Sequence, residues 1–344
     1  MTPIISFEKV LKDINIRPSI EATRLASKFG YRPYMVERYI EILGLDEVKE
    51  LLEAFEKPLT PSIRCNTLKL KDCDLLIKYL ESKGYVLKRI EWHQYGYRVL
   101  KRGKPRLGAT REYLLGYYYL YRGVASQLPP LVMNPKPHTY VLDMAAAPGG
   151  KLTHIAQLMN NTGLILGIDI SRSKIRALRS HINRLGVLNT VLLRADSVKA
   201  INSLGLEDFF DYVLLDAPCT GEGIIQIDKS RKVKTTLEDL AKFVTKQIEM
   251  LVVALKVVKP GGIIIYSTCS IAPEENEYVV SKALEFFRGE AIVETPSNYR
   301  SLFSQGLIEF HKLKFREDLK NALRLYPHLH DCEGFFVCRI RRKS

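Results

Sequence analysis

Residues 140–159 read YVLDMAAAPGGKLTHIAQLM. The apolar run Tyr140-Val141-Leu142 ends at Asp143, a glycine-bearing loop follows, and a helical pattern starts near Lys151. Together these predict a strand, a tight turn and a helix. Gly149 and Gly150 allow a sharp turn and close approach to a ligand, Pro148 stiffens the entry, and the helix N-terminus offers unpaired N–H groups to an anionic group. The loop, Ala145-Ala146-Ala147-Pro148-Gly149-Gly150-Lys151, lacks the G-x-G-x-x-G spacing of dinucleotide sites. It is not a phosphate loop either, because Ala145 stands where that motif needs glycine and Leu152 where it needs Ser or Thr.

Downstream, the pattern repeats. Strands are predicted at Leu164 to Asp169, Thr190 to Arg194, Phe210 to Asp216 and, after Pro260-Gly261-Gly262, Ile263 to Tyr266. Helices are predicted at Lys174 to Leu185, closed by Gly186, and at about Leu237 to Val258. Near-continuous apolar strands alternating with helices mean a parallel sheet covered on both faces, with ligands at the C-terminal strand ends. Asp169, Asp196, Asp216 and Cys269 lie at or just past such ends. Each acid alone reads as a cap or turn residue; in series they can serve the parts of an adenosyl ligand.

The chain upstream has a different texture. From Phe7 to about Lys57 apolar residues such as Val36, Ile40, Leu43, Val48, Leu51, Leu52 and Phe55 recur at helix spacing, punctuated by Gly30 and Gly44. Residues 1–58 are therefore expected to be a helical segment used for packing. Residues 59–125 read as a small α+β domain: strands at Ile63 to Leu68, Val86 to Ile90 and Tyr97 to Leu100, and a helix at Asp72 to Lys83 with Leu75, Leu76, Tyr79 and Leu80 inward. Between Lys83 and Arg111 stand nine basic residues and one acid, Glu91, interleaved with Tyr85, Trp92, Tyr95 and Tyr97. Cations for phosphates and aromatics for unpaired bases suit single-stranded RNA, and with the overall charge this makes residues 59–125 an expected RNA-binding domain in preference to a solvated basic face over an aromatic core.

The 344 residues, 46% hydrophobic, suffice for a large core with an appended domain, residues 126–344 forming the main one. No run is long enough to span a membrane and no signal pattern opens the chain, so a cytoplasmic protein is expected, with a monomer as the default state. The 52 Lys+Arg against 38 Asp+Glu leave +14, which favours an anionic partner, nucleic acid first. Six cysteines are too sparse for a disulfide framework, and Cys65, Cys73, Cys332 and Cys338 read as buried fillers. His328, His330 and Cys332 would share a face of a strand, yet no fourth ligand is evident and no metal is expected there.

The sharper chemical signal is Asp216-Ala217-Pro218-Cys219-Thr220-Gly221-Glu222-Gly223 together with Ser267-Thr268-Cys269-Ser270. Two cysteines, each just beyond a parallel strand, can converge on one pocket, and a thiolate there would be nucleophilic. Either thiol would serve.

With DMAAAPGGK, LLDAPCTGEG and YSTCS in order, and GIDIS and LRADS between them, the chain resembles the Sun family of RNA (cytosine-5) methyltransferases from about Pro61 to its end. The resemblance implies a Rossmann-like class I methyltransferase domain, a mostly parallel seven-stranded α/β sheet with helices on both faces, preceded by a small RNA-recognition-like α+β domain. It implies S-adenosylmethionine as cofactor, with Ala145 to Lys151 around its methionine end, Asp169 and Lys174 at the ribose and Asp196 at the adenine. It further implies Cys269 as nucleophile, Cys219 assisting release, and Asp216 facing the base. By the same resemblance the RNA is tRNA first, given an archaeal-type N-terminal stretch YRPYMVERYIEILG, and ribosomal RNA second. An RNA-binding assembly factor without turnover is the competing class; a dehydrogenase is disfavoured by the loop spacing.

Overall fold

The computed structural model describes residues 5–287 and 289–344. The chain divides into two compact units, one holding Thr60–Asp216 and Val257–Ile265, the other Met1–Leu59, Ala217–Lys256 and Tyr266–Ser344. The expected boundary after residue 58 nearly coincides with a unit boundary. The one at residue 125 falls inside a unit, and the helical segment belongs with the chain's second half.

The first unit opens with a four-stranded antiparallel sheet made of β1 (Ser62–Cys65), β2 (Val86–Ile90), β3 (His93–Lys101) and β4 (Tyr118–Tyr121), in the order β2-β3-β1-β4. β1 stops at Cys65, short of the expected Leu68, because Asn66 turns the chain: its amide donates to the carbonyls of Gly116 and Leu185. The helix Cys73–Ser82 is capped by the Asp72 carboxylate and buries Leu76, Ile77 and Leu80. Leu75 and Tyr79, expected inward, are exposed, since the buried stripe runs through positions 73, 76, 77 and 80 instead. Tyr85 and Tyr97 belong to the core of this sheet, Tyr95 packs against it, and Trp92 is half-buried. Eight of the nine basic residues are exposed, Arg98 being half-buried. Cys65 and Cys73 are joined in a disulfide, which corrects their reading as fillers; sequence spacing alone could not show that the strand end meets the helix start.

The parallel sheet follows. β5 (Tyr140–Asp143), β6 (Leu164–Asp169), β7 (Thr190–Arg194), β8 (Phe210–Asp216) and β9 (Val258–Thr268) run in the spatial order β9-β8-β5-β6-β7 over the residues of this unit. β5 pairs in parallel with β6 (Val141 opposite Ile165) and with β8 (Leu142 opposite Val213), and β6 with β7. The order reverses at β5, and that switch is where α/β sheets place ligands. The helix Arg172–Leu185 ends at Gly186 in the left-handed region, φ 72°, as its sequence predicts. Pro260-Gly261-Gly262 does not precede the last parallel strand but lies within it. A Cβ on Gly262 would meet the Asp211 carbonyl at 2.9 Å, so glycine lets the strands approach.

In the second unit the N-terminal segment forms four helices, Phe7–Asp13, Ile20–Phe29, Pro33–Leu43 and Leu45–Glu56. The apolar faces of the last three share one core with Ile225, Ile271, Phe310 and Tyr326. The helix Leu237–Val257 and antiparallel strands β10 (Ala291–Glu294), β11 (Ser304–Gln305), β12 (Glu309–Phe310), β13 (Leu313–Lys314), β14 (Leu323–Leu325) and β15 (Phe335–Arg342) complete it. β5 to β9 supply five strands of the expected sheet within the first unit. The α/β methyltransferase fold is thus borne out. No helix among the described residues is long and apolar enough to cross a membrane.

Candidate active site

The loop after β5 is held from several sides. Gly149 takes φ 109° at the N-cap of the helix Gly150–Leu158, and a Cβ there would strike Leu178 at 2.5 Å. Asp169, at the end of β6, accepts from the Ala147 amide at 3.2 Å and the Ser171 amide at 2.8 Å, fastening the loop to the neighbouring strand end. Lys151 reaches Asp216, at the end of β8, with Nζ 2.7 Å from Oδ2. Asp196 caps the helix Ser197–Leu204 through the Lys199 amide, and the Lys174 side chain is exposed. The structure therefore gathers the loop, Asp169, Lys151 and Asp216.

Two residues that sequence reasoning passed over complete this part. Asp143 is buried at the end of β5; burial, and then the Asp216 carboxylate, push it up to about 7. Arg64 on β1 is fully buried and donates to the Gly150 carbonyl (3.2 Å) and the Thr153 hydroxyl (3.0 Å), while Tyr121 donates to the same carbonyl at 2.9 Å. The small sheet thereby fixes the glycine turn. Asp143, Asp169 and Asp216 sit close enough to repel one another, and Lys151 only partly offsets them. Such a cluster suits a ligand with positive charge and hydroxyl donors, as S-adenosylmethionine has.

Beneath the turn, His154 of the same helix stacks on His93 of β3, ring centroids 4.9 Å apart. Neither ring nitrogen of His154 has a hydrogen-bonding partner among the described residues. Burial, and then the nearby Arg64, depress His93 to about 3 and His154 well below its ordinary value. Both histidines are thus neutral when folded but take up protons when unfolded below about pH 6.5. Stability is lost as pH falls below that value, at roughly 1.4 kcal/mol per unit for each ring. Asp143, raised when folded, works in the opposite direction between about 7 and its ordinary carboxylate range. Urea titrations at pH 7 and pH 5 should show His154→Leu losing about 2 kcal/mol less than the parent over that interval. Equal losses would mean that His154 is already charged in the folded protein.

The cysteine motifs lie in the second unit. Cys219 and Cys269 are half-buried and not disulfide-bonded, their Sγ atoms 3.1 Å apart. Backbone bonds join their loops: Ala217 N–H donates to the Ser267 carbonyl at 2.8 Å and Gly223 N–H to the Cys269 carbonyl at 2.9 Å. Gly223 is obligatory, because a Cβ would fall 1.9 Å from the Gly334 carbonyl oxygen.

Behind both loops runs Glu274-Glu275-Asn276-Glu277, four consecutive buried polar residues. Glu274 holds Arg38, with Nε 2.9 Å from Oε2. Glu275 accepts from the Thr220 amide at 2.8 Å, from the Thr220 hydroxyl and from Gln247 at 3.1 Å. Asn276 accepts from the Thr268 hydroxyl at 2.6 Å and donates to the Ser270 carbonyl at 3.0 Å, gripping the residues on either side of Cys269. Glu277 binds Arg324 at 2.6 Å and accepts from the Leu307 amide. Glu222, within the Cys219 motif, receives Arg38 Nη1 at 2.7 Å and the Tyr39 hydroxyl. Burial alone would depress the Arg38 guanidinium, but Glu222 and Glu274 more than reverse this and hold it above its ordinary value.

His328 and His330 stand on the helical turn Pro327–His330 rather than a strand: His328 meets Glu47 at 3.0 Å and His330 accepts from the Tyr326 amide at 2.9 Å. Among the described residues no group of three His, Cys, Asp or Glu forms a cation site.

A family model described as 16S rRNA methyltransferase RsmB/F matches residues 130–341. The chain belongs to the RsmB/F family. A second model, the N-terminal domain of 16S rRNA methyltransferase RsmF, matches residues 33–121 and so covers both the later N-terminal helices and the small sheet. Among RsmB/F relatives, a mouse 28S rRNA (cytosine-C(5))-methyltransferase is 37% identical over 93% of this chain and 40% of its own length. Ribosomal RNA small subunit methyltransferase F of Vibrio parahaemolyticus is 36% identical over 86% of this chain and 59% of its own. The chain thus spans about half the length of these curated relatives. A methyltransferase homolog from Pyrococcus horikoshii is 38% identical and superposes with a TM-score of 0.82, covering 94% of this chain and 99% of that one. NSun6 from the same organism, solved with the S-adenosylmethionine analogue SFG, is 25% identical with a TM-score of 0.73 over 89% and 97%. RsmB/F proteins use S-adenosylmethionine, and the glycine loop with Asp143, Asp169 and Asp216 around it fits that cofactor.

Proposed function

We propose that the chain transfers a methyl group from S-adenosylmethionine to carbon 5 of a cytidine in RNA. The observation that carries this reading is the pair of non-disulfide cysteines, 3.1 Å apart, whose loops are held from behind by Glu275 and Asn276. Cytosine carbon 5 is a poor nucleophile. The Cys269 thiolate adds to carbon 6, forming a C–S bond and moving the ring's C5–C6 π electrons toward N3, so that carbon 5 becomes enamine-like. Asp216, hydrogen-bonded near N3 and the exocyclic amine, stabilises that adduct. Carbon 5 then takes the methyl group that S-adenosylmethionine would supply, the S–CH3 bond breaking to leave S-adenosylhomocysteine. Loss of the carbon 5 proton returns the electron pair to the ring and expels the Cys269 thiolate, with Cys219 assisting release. On the cofactor side, the loop from Ala145 through Lys151 together with Asp169 holds S-adenosylmethionine, with Lys174 at the ribose and Asp196 at the adenine. The base must be unpaired or flipped out, at a cost of roughly a few kcal/mol.

The names of the relatives favour ribosomal RNA as substrate, and the resemblance of the N-terminal stretch favours tRNA as the second choice. Incubation with methyl-labelled S-adenosylmethionine and separate unmodified ribosomal and tRNA pools, followed by digestion to nucleosides, tests both. Labelled 5-methylcytidine is expected in the ribosomal pool. Label in tRNA alone would reverse the substrate order. Absence of label from both, with S-adenosylhomocysteine still bound by calorimetry, would favour the assembly-factor reading.

A further inference from the structure

We infer that the small α+β sheet carries a pocket for one unpaired nucleobase of a bound RNA strand, an inference that rests on the RNA reading above. A cavity of about 410 Å³ opens in this part of the chain, walled by Pro61, Leu107, Leu120 and the ring of Tyr85. The Tyr85 hydroxyl is committed to the Pro105 carbonyl, so its ring is what it offers the cavity. Arg102 and Arg106 also line it, both exposed and neither with a carboxylate partner among the described residues.

Charge and shape point to the same occupant. Exposed Lys83, Lys101 and Lys104 are neighbours in the same basic stretch, and the Lys104 amide donates to the Lys83 carbonyl. An apolar slot beside guanidinium groups takes a flat base while the flanking phosphates meet the cations. A duplex cannot enter, because its bases are stacked and paired.

Gly108 provides the test. It is exposed, lines the cavity, and an added Cβ would meet nothing within 4 Å, whereas one on Gly103 would fall 2.3 Å from the Lys83 carbonyl. Gly108→Phe should therefore fill the slot in a chain that melts like the parent. The full-length protein is titrated with a fluorescent twelve-nucleotide single-stranded RNA, the same strand carrying abasic positions, and a blunt duplex of equal charge. The inference expects Gly108→Phe to weaken the intact single strand roughly five- to hundred-fold and to leave abasic strand and duplex within twofold of the parent. Arg102→Ala should weaken all three probes and lower their salt dependence.

Unchanged single-strand affinity in a folded Gly108→Phe overturns the pocket while leaving the RNA reading intact. An equal loss on the abasic strand also overturns it, since the cavity would then follow the backbone. Self-association of the parent that Gly108→Phe abolishes would assign the cavity to a second copy instead. A parent chain that binds none of the three probes would overturn both the pocket and the RNA reading.

Discussion

Replacing Cys269 with alanine is expected to abolish methyl transfer, lowering kcat by ~10⁴-fold or more, the scale set by loss of a nucleophile that acts as part of a unit. The partner variant should behave differently. With Cys219→Ala the thiolate of Cys269 still adds to carbon 6 and carbon 5 is still methylated, but release is impaired, so a protein–RNA adduct accumulates. Denaturing gels of protein incubated with labelled RNA and S-adenosylmethionine distinguish the two: a shifted band for Cys219→Ala, none for Cys269→Ala. The reverse pattern would exchange the roles, which the geometry permits because the two sulfur atoms are only 3.1 Å apart and share one set of supports. Both side chains are small and half-buried, so neither variant should unfold the protein. Melting curves that match the parent would confirm that the effects are chemical.

Arg38→Met is expected to cost about 3–5 kcal/mol of folding stability, the penalty for stripping one partner from a buried ion pair. Arg38 is fully enclosed and its charge is the shared counter-ion of Glu222 and Glu274, both equally enclosed. Its removal leaves two carboxylates facing each other in a medium that solvates neither. They would have to take up protons, so the variant should be more stable at pH 5 than at pH 8 relative to the parent. Adding Glu222→Gln and Glu274→Gln to Arg38→Met should recover part of the loss, as replacing every member of a buried ionic group costs less than orphaning one. A pH-independent loss that the added substitutions do not reduce would show that packing, rather than charge, is what Arg38 supplies. The methyl-transfer rate should fall as well, because Glu222 is three residues from Cys219 and its loop would relax.

Much of this was legible in the chain. β5, β6 and β8 were readable because buried parallel strands are short apolar runs closed by an acid, β7 as an apolar run with Asp196 just beyond it, and Gly186 marked a helix end because only a left-handed residue fits there. Arg38 was not readable: in the helical stretch VERYIEIL an arginine ordinarily faces solvent, and nothing local says that two distant glutamates will neutralise it. Glu274 to Glu277 were hidden for a similar reason, since a run with three acids ordinarily marks a solvated turn. Their partners at Arg38, Thr220, Thr268 and Arg324 are spread over almost the entire chain. The aromatics of the small sheet were misread in part because alternation on β3 sends Tyr97 and Val99 to the core, which sequence proximity to lysines and arginines obscures. The Cys65–Cys73 pairing depended on where a strand ends, and that end was placed three residues too late.

The run from Glu274 to Glu277 also bears on how the protein can change over generations. Each of its four side chains is matched to a different segment, so the spacing within the run is shared by all of them. A one-residue insertion or deletion between Ser270 and Glu277 would put every one of these matches out of step at once, and no second change at a single partner could restore them. The exposed tips of the small sheet carry no such obligation. Lineages descended from this chain should therefore diverge in the length of those tips, and so in which RNA they favour, while the span between the second cysteine and Glu277 keeps its length.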